Sequence, residues 1–582
     1  MEIKRGVAVS PGVAIGPAWI LDREEVNVRQ RFIATGTYPQ EIERLDRAIE
    51  AAAREAREVQ RVVADRLGEQ YGAIFGAHAA LIEDPRLRQE IASEIRYHSY
   101  TAEQALDRVI RRRLRALASL NDRIIADRQS DLRDIEKRLL RQLAGQRHEQ
   151  LQKLTEPVVL LAHDLTPSET AQLDRQHILG FATEVGGRTS HTAIVANALG
   201  IPAVVGLGMF LTDVSGGDLV IVDGNRGVVI LDPDEETLQH YRRIQQAQVG
   251  HERELDELRN LPAVTRDGVR IYLLGNIEFP EEAAQILERG ADGVGLYRTE
   301  FLYLGRKEDP TEQEHFEAYL KVLRQLPGKP IVIRTLDVGA DKFSSVTDPE
   351  IQERNPFLGV RSLRLCLRNK NLFRVQLRAI LRASAYGDIR IMFPMVSTIS
   401  ELREAKLLLY DVMEELSEEK VPFNHRIPVG TMIEVPSAAL MAEGLAKEVD
   451  FFSIGTNDLI QYVLAADRTN ENVAYLYSAS DPAVLRLIDH VVRAAERAGI
   501  SVNVCGEMSA EPMYAFVLIG LGLRQLSAAP HAIPEVKRLV RSITIEEARR
   551  AAETVLQMET AQDITTYLRD QIRRILPEAL AI

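Results

Sequence analysis

Phe451-Phe452-Ser453-Ile454-Gly455-Thr456-Asn457-Asp458 is a short apolar run that breaks at a glycine into polar residues able to do chemistry. Such a run reads as a buried β-strand with its functional groups just past its C-terminal end. From residue 263 onward the pattern recurs, with apolar strands at 270–276, 293–297, 330–336, 389–395, 428–434, 451–454, 501–505 and 525–528 and helical segments between them. Eight β/α alternations over about 300 residues predict a closed (β/α)8 TIM barrel. Periodicity alone leaves an open doubly wound sheet as the alternative.

In a barrel of this kind, residues past the C-terminal strand ends line the active site. Those positions carry Tyr297-Arg298-Thr299-Glu300-Phe301 after the second strand and Arg334-Thr335-Leu336-Asp337 through Lys342 after the third. Glu434 follows the fifth, Asn457 and Asp458 the sixth with Arg468 shortly beyond, and Cys505-Gly506-Glu507-Met508 the seventh. Arginines and two carboxylates around one rim suit a small polyanion bridged by a hard cation, because Arg makes bidentate contacts to carboxylate or phosphate. Glu434 and Asp458 have the chemistry of Mg²⁺ ligands, since that ion takes few carboxylates and keeps phosphate oxygens and water. Singly, each group has an ordinary reading: a salt-bridge partner, a helix cap, a buried small hydrophobe for Cys505 or Cys366, a loop brace for Arg361. Their coincidence on one rim outweighs those readings.

Toward the N-terminus the texture changes. Residues 3–20 read as short β-structure with turns, and 39–144 as long charged helices with apolar residues three and four apart, a helical bundle broken at Asp84-Pro85 and Asn121-Asp122. Strand signals return at 158–161, 178–183, 204–206, 219–222 and 228–230. The predicted chain is therefore a multidomain α/β protein. Residues 1–20 and 145–232 form one α/β domain, 21–144 a helical-bundle insert, 233–262 a linker helix and 263–582 the barrel. A plain surface helix of the next domain fits 233–262 equally well.

Inside the first α/β domain lies Gly186-Gly187-Arg188-Thr189-Ser190-His191-Thr192-Ala193-Ile194-Val195-Ala196. A Gly-Gly turn leads to Thr189 and Ser190, either able to cap a helix, and Gly200 and Pro202 punctuate its end. His191 then falls in the first turn, where free N–H groups and the positive end of the macrodipole favour an anion. Arg188 adds positive charge. A lone His at a helix start is often a cap or solvent-facing residue. This one, alone of the chain's 12 histidines, sits in a Gly-Gly-Arg turn and suits a covalent phosphoryl carrier.

Composition bounds the rest. The 582 residues predict three or four domains, and a formal net charge of -13 argues against nucleic acid or an anionic membrane while allowing a basic protein partner. Two cysteines exclude a disulfide framework and point to the cytoplasm. The apolar run 515–523 is half a transmembrane length, and the N-terminus lacks a signal-peptide core.

Across nearly its whole length the chain resembles Enzyme I of the phosphoenolpyruvate:sugar phosphotransferase system. The resemblance rests on Gly12-Val13-Ala14-Ile15-Gly16, Asp164-Leu165-Thr166-Pro167-Ser168-Glu169-Thr170-Ala171, the His191 turn, Gly295 through Leu302, Arg334-Thr335-Leu336-Asp337, Phe451 through Asp458 and Val504 through Met508. It implies that Arg298, Arg334 and Arg468, with Asn457 and Asp458, bind phosphoenolpyruvate, and that Glu434 and Asp458 carry Mg²⁺. It implies further that His191 takes the phosphoryl group on Nε2, that Thr170 orients the ring, and that Cys505 protonates the departing enolate. Arg188, Arg361 and Lys342 support the site. The group then passes to a histidine of the phosphocarrier protein HPr, docked on the helical insert, and the protein pairs as a homodimer through the barrel. His78 in the insert is expected to be an ordinary helix residue. A hinge near 230–262 is expected, because His191 serves donor and acceptor on different domains. ATP-dependent dikinases share the histidine turn and barrel, but the nucleotide-binding domain they carry is not found here. Ala340 replaces a usual glycine and Val360 a usual tryptophan, and neither change removes a charge.

Overall fold

The computed structural model describes residues 1–21, 32–34, 36–67, 76, 78–118, 132, 135–136, 138–143, 156–165, 173, 177–186, 200–303, 308–339, 355, 357–468, 470 and 472–577. The chain divides into two compact units, Met1–Gly250 and His251–Ile582.

In the first unit, β1 (Glu2–Arg5), β2 (Val7–Ser10) and β3 (Val13–Ile20) share one sheet with β4 (Val158–Ala162), β5 (Ile178–Thr183), β6 (Ala203–Val205), β7 (Leu219–Asp223) and β8 (Val228–Leu231). The strand order is β1-β8-β7-β3-β4-β5-β6-β2. β3 through β6 pair in parallel, and the flanking pairs are antiparallel. Apolar runs such as Val158–Ala162 are buried along their full length, as a strand covered on both faces requires.

Between β3 and β4 come α1 (Tyr38–Leu67), α2 (Pro85–His98) and α3 (Ala102–Ala118), packed around Leu45, Ile49, Ile82, Ile91, Ile95, Leu106 and Val109. The predicted break at Asp84-Pro85 is the start of α2. Asp84 accepts a hydrogen bond from the Arg86 N–H at 2.9 Å, and Pro85 occupies the first turn, where its missing N–H costs nothing. The break expected at Asn121-Asp122 lies outside the described residues. His78 is buried in this bundle, and Arg88 clasps Asp46 through two contacts of 2.6 and 2.7 Å. After β8, α4 (Glu235–Leu258) lays Leu238 and Tyr241 against Val13, Ile221 and Ile230 of the sheet.

The second unit settles the choice between barrel and open sheet. β9 (Tyr272–Ile277), β10 (Val294–Tyr297), β11 (Ile331–Arg334), β12 (Ile389–Phe393), β13 (Val429–Ile433), β14 (Phe451–Ile454), β15 (Ser501–Val504) and β16 (Gln525–Ala528) run parallel and close on themselves, because β16 pairs with β9. Helices begin with reciprocal caps where the sequence supplies them, as at Thr311 with Glu314 and Thr398 with Glu401. Among the described residues no helix is long and apolar enough to cross a membrane.

Candidate active site

The barrel interior is a packed layer with one reactive group at its top. Leu296, Val332, Met392, Met432, Phe451 and Cys505, each from a different strand or strand end, form a buried cluster. Cys505 follows β15 directly. Its N–H donates to Ile454 O at 3.1 Å, its carbonyl accepts from Asn276 Nδ2 at 3.0 Å, and Ser453 Oγ donates to its sulfur at 3.2 Å. Burial pushes the thiol up to about 11, against the lowering effect of the Ser453 hydrogen bond. Cys505 is therefore a thiol, a proton source, near neutrality. Cys366 is fully buried.

Above that layer, alternating charges run around the rim. Arg334, at the end of β11, is buried and reaches Glu300 at 2.7 Å and Asp337 at 2.8 Å. Asp337 also accepts from Arg361 at 3.0 Å and from the Ser362 hydroxyl. Arg361 then lies 3.8 Å from Asp458 and donates to Tyr462 OH at 3.3 Å. Burial alone would raise the Asp337 carboxyl, but Arg334 and Arg361 overcome it and hold this group well below the carboxylate range. Arg298, past β10, pairs with Glu278 at 2.5 Å and remains partly exposed. Arg334 Nε has no hydrogen-bond partner among the described residues despite its burial, so one donor is left for a ligand.

Strand ends carrying these groups are tied from behind. Gln376 donates to Thr299 Oγ1 at 3.0 Å and accepts from the Leu336 N–H at 2.9 Å, while Thr299 Oγ1 donates to Arg334 O at 3.0 Å. This buried bridge fixes the ends of β10 and β11 relative to each other.

On the far side, Glu434 is buried at the end of β13 and accepts from the Met395 N–H at 2.6 Å. Burial, then Asp458 and Asp337, push its carboxyl up to about 8. Burial raises Asp458 also, opposed by Arg361. A Cβ on Gly455 would stand 2.8 Å from Glu434 Oε2, so glycine there leaves room for the carboxylate. Two carboxyls whose ionised forms are disfavoured by burial and by neighbouring carboxylates are groups that a small divalent cation can hold ionised. Among the described residues no group of three or more metal-ligating side chains occurs. Asn457 and Arg468 meet at Glu507: its Oε1 accepts from Asn457 Nδ2 at 2.9 Å and from Arg468 at 3.1 Å.

Three family models match the chain. They are the PEP-utilising enzyme N-terminal region over residues 5–128, the mobile domain over 154–227 and the PEP-binding domain over 252–545. The chain is 44% identical over 567 residues to a phosphoenolpyruvate-protein phosphotransferase of Geobacillus stearothermophilus, covering 97% of both chains. It is 41% identical over 576 residues to that of Bacillus subtilis, covering 98% of this chain and 100% of the other. The chain belongs to the Enzyme I family.

Of the residues that the Enzyme I resemblance singles out, the structure brings Arg298, Arg334, Arg361, Glu434, Asn457, Asp458, Arg468 and Cys505 to the C-terminal ends of the barrel strands. His191, Arg188, Thr170 and Lys342 lie outside the described residues. Just past β5, Glu184 Oε2 lies 2.6 Å from His163 Nδ1 and Glu184 Oε1 accepts from the Phe210 N–H at 3.0 Å. The sequence assigns no role to Glu278, Glu300, Asp337, Gln376 or Ser453, the partners that set the geometry. Glu300, Asp337 and Glu507 were visible inside the quoted motifs, but nothing in local pattern marks which arginine each one faces.

Proposed function

We propose that His191 carries the phosphoryl group of phosphoenolpyruvate from the barrel site to a histidine of HPr. The chain is a phosphoenolpyruvate-protein phosphotransferase, the Enzyme I of a sugar phosphotransferase system. What carries the residue-level reading is the rim itself: Arg298, Arg334 and Arg468 with Asn457, facing the raised carboxylates Glu434 and Asp458 over the Cys505 thiol. The arginines would hold the phosphate and carboxylate of the substrate, and His191 Nε2 would attack the phosphorus. Catalysis of phosphoryl transfer comes mostly from such positioned charge.

Glu434 and Asp458 would hold one Mg²⁺, which when bound draws charge from the phosphate oxygens. Cys505 would give its proton to the carbon of the pyruvate enolate, and Arg361 and Lys342 would support the rim. Thr170 would orient the His191 ring and Arg188 add positive charge beside it. The division we propose runs 1–20 and 145–232 for the phosphohistidine domain, 21–144 for the HPr-binding helices, 233–262 for the linker helix and 263–582 for the barrel, with reorientation about the linker between the two transfers. Cytoplasmic location fits two free, buried cysteines. A homodimer through the barrel fits its exposed apolar side chains, including Leu407, Leu440 and Tyr475.

The test is incubation with phosphorus-labelled phosphoenolpyruvate, Mg²⁺ and HPr. Acid-labile label should appear on the native chain and on HPr, and on neither with His191→Ala. Label retained by that variant, or mapped to another side chain, overturns the assignment.

A further inference from the structure

The thiol that meets the enolate must, for part of each turnover, be a thiolate in a layer of Leu296, Val332, Met392, Met432 and Phe451. An ion left there without a donor is costly. Among the described residues, one side chain donates a hydrogen bond to that sulfur: Ser453, from β14, fully buried, with Oγ 3.2 Å from Sγ. The S–H itself points to Ile454 O at 3.7 Å. The cysteine backbone is pinned independently, since its carbonyl takes Asn276 Nδ2 and Asn276 Oδ1 in turn takes the Ser527 hydroxyl at 2.6 Å. The sulfur's place is therefore set by the backbone, while its charge is met by one serine.

We propose that Ser453 is a positioning residue for carbon protonation, whose hydroxyl holds the Cys505 sulfur through the thiolate stage and keeps proton delivery on one face of the enolate. This rests on the reading of Cys505 as the proton donor. In the step, the Cys505 S–H bond breaks and a C–H bond forms at the methylene carbon, with the enolate π pair supplying the electrons. Sulfur keeps the S–H pair as thiolate and regains a proton from water. Ser453 keeps its own proton throughout, donating to sulfur more strongly once it is charged. Burial raises the thiol and the serine opposes that rise, in keeping with the geometry.

The experiment uses the full chain with Mg²⁺, HPr and (Z)-3-deuterated phosphoenolpyruvate in tritiated water, reading the handedness of the pyruvate methyl group. The native enzyme should give methyl of one hand. Ser453→Ala should keep KM for phosphoenolpyruvate within about twofold, but slow carbon protonation about tenfold or more, the loss of one hydrogen bond to a charged group. Its methyl should be largely scrambled, because the enolate then escapes to be protonated in water. Ser453→Thr, which keeps a hydroxyl, should restore one hand. Ser453→Cys, nearly isosteric but a weak donor, should scramble as Ala does and stands in if Ala fails to fold. One-handed methyl at native rate from Ser453→Ala or Ser453→Cys, alongside scrambling by Cys505→Ala, overturns the role of Ser453 alone. One-handed methyl from Cys505→Ala overturns the donor assignment beneath it.

Discussion

Met395 gives its backbone N–H to Glu434 Oε1 across 2.6 Å while holding φ at +54°, a backbone conformation that side-chain-bearing residues seldom adopt. The barrel thus accepts local strain to present a donor to a buried carboxyl. One amide does not offset burial beside Asp458, and the carboxyl still holds its proton to about pH 8.

A pH dependence follows from Glu434. The folded chain without metal retains this proton up to about 8, whereas an unfolded glutamate loses it near 4.5. Between those values the native state binds more protons than the unfolded state, so this group makes stability fall as pH rises. Urea unfolding of the metal-free protein at pH 5.5 and pH 8 should show that slope, and Glu434→Gln should flatten it while abolishing activity. Calorimetry near pH 7 should find Mg²⁺ uptake coupled to proton release, which the variant loses.

Gly455 offers a narrower probe. An alanine there would place Cβ 2.8 Å from Glu434 Oε2 and 2.9 Å from the Met432 sulfur. Gly455→Ala should cost about 1–3 kcal/mol from overpacking, with a fall in Mg²⁺ affinity larger than the fall in melting temperature would suggest. Equal affinity by titration would show that the carboxylate moves aside freely.

Asp337 joins two arginines, and its removal leaves their buried charges short of a partner. Asp337→Asn should destabilise the barrel by about 3 kcal/mol at neutral pH. Because its folded value lies below the usual 3.8, the stability it contributes is present above that value and is lost as pH falls below it. The difference between native and variant chains, measured by denaturant unfolding, should shrink below about pH 4.

In the helical lobe, Asp84→Ala removes the side chain that receives the Arg86 N–H. Loss of such a cap should cost about 0.5–2 kcal/mol. Unfolding of the lobe, followed by helix circular dichroism, should move to lower urea while phosphorylation from phosphoenolpyruvate persists.

The barrel was legible because each strand announces itself twice, by an apolar run and by the polar residues that end it. Phe451–Ile454 then Asn457 and Asp458 is the clearest case, and its strand bounds match the sequence reading. Closure was legible only from the count of eight β/α alternations, since the pairing of β16 with β9 that makes it joins residues some 250 positions apart and leaves no local trace. The rim arginines could be read as anion binders from their place at strand ends. Their partners could not: Gln376 ties Thr299 to Leu336 from inside a helix, where it looks like any polar residue on an amphipathic surface. Ser453 was hidden differently, as a small residue within an apolar strand, where only the sulfur 3.2 Å away gives it meaning.

The parallel pairing of β3 with β4, Ala18 opposite Val159, fixes how the helical lobe is threaded. Parallel neighbours cannot be joined by a hairpin: the chain leaves at the far end of one strand and must re-enter at the near end of the next. The whole stretch from residue 21 to 157 is therefore an enlarged crossover. A lobe inserted this way has both its ends set by neighbouring strands of one sheet. It cannot be cut out and sealed with a tight turn, and any minimal replacement has to span the length of the strand, a dozen or so residues.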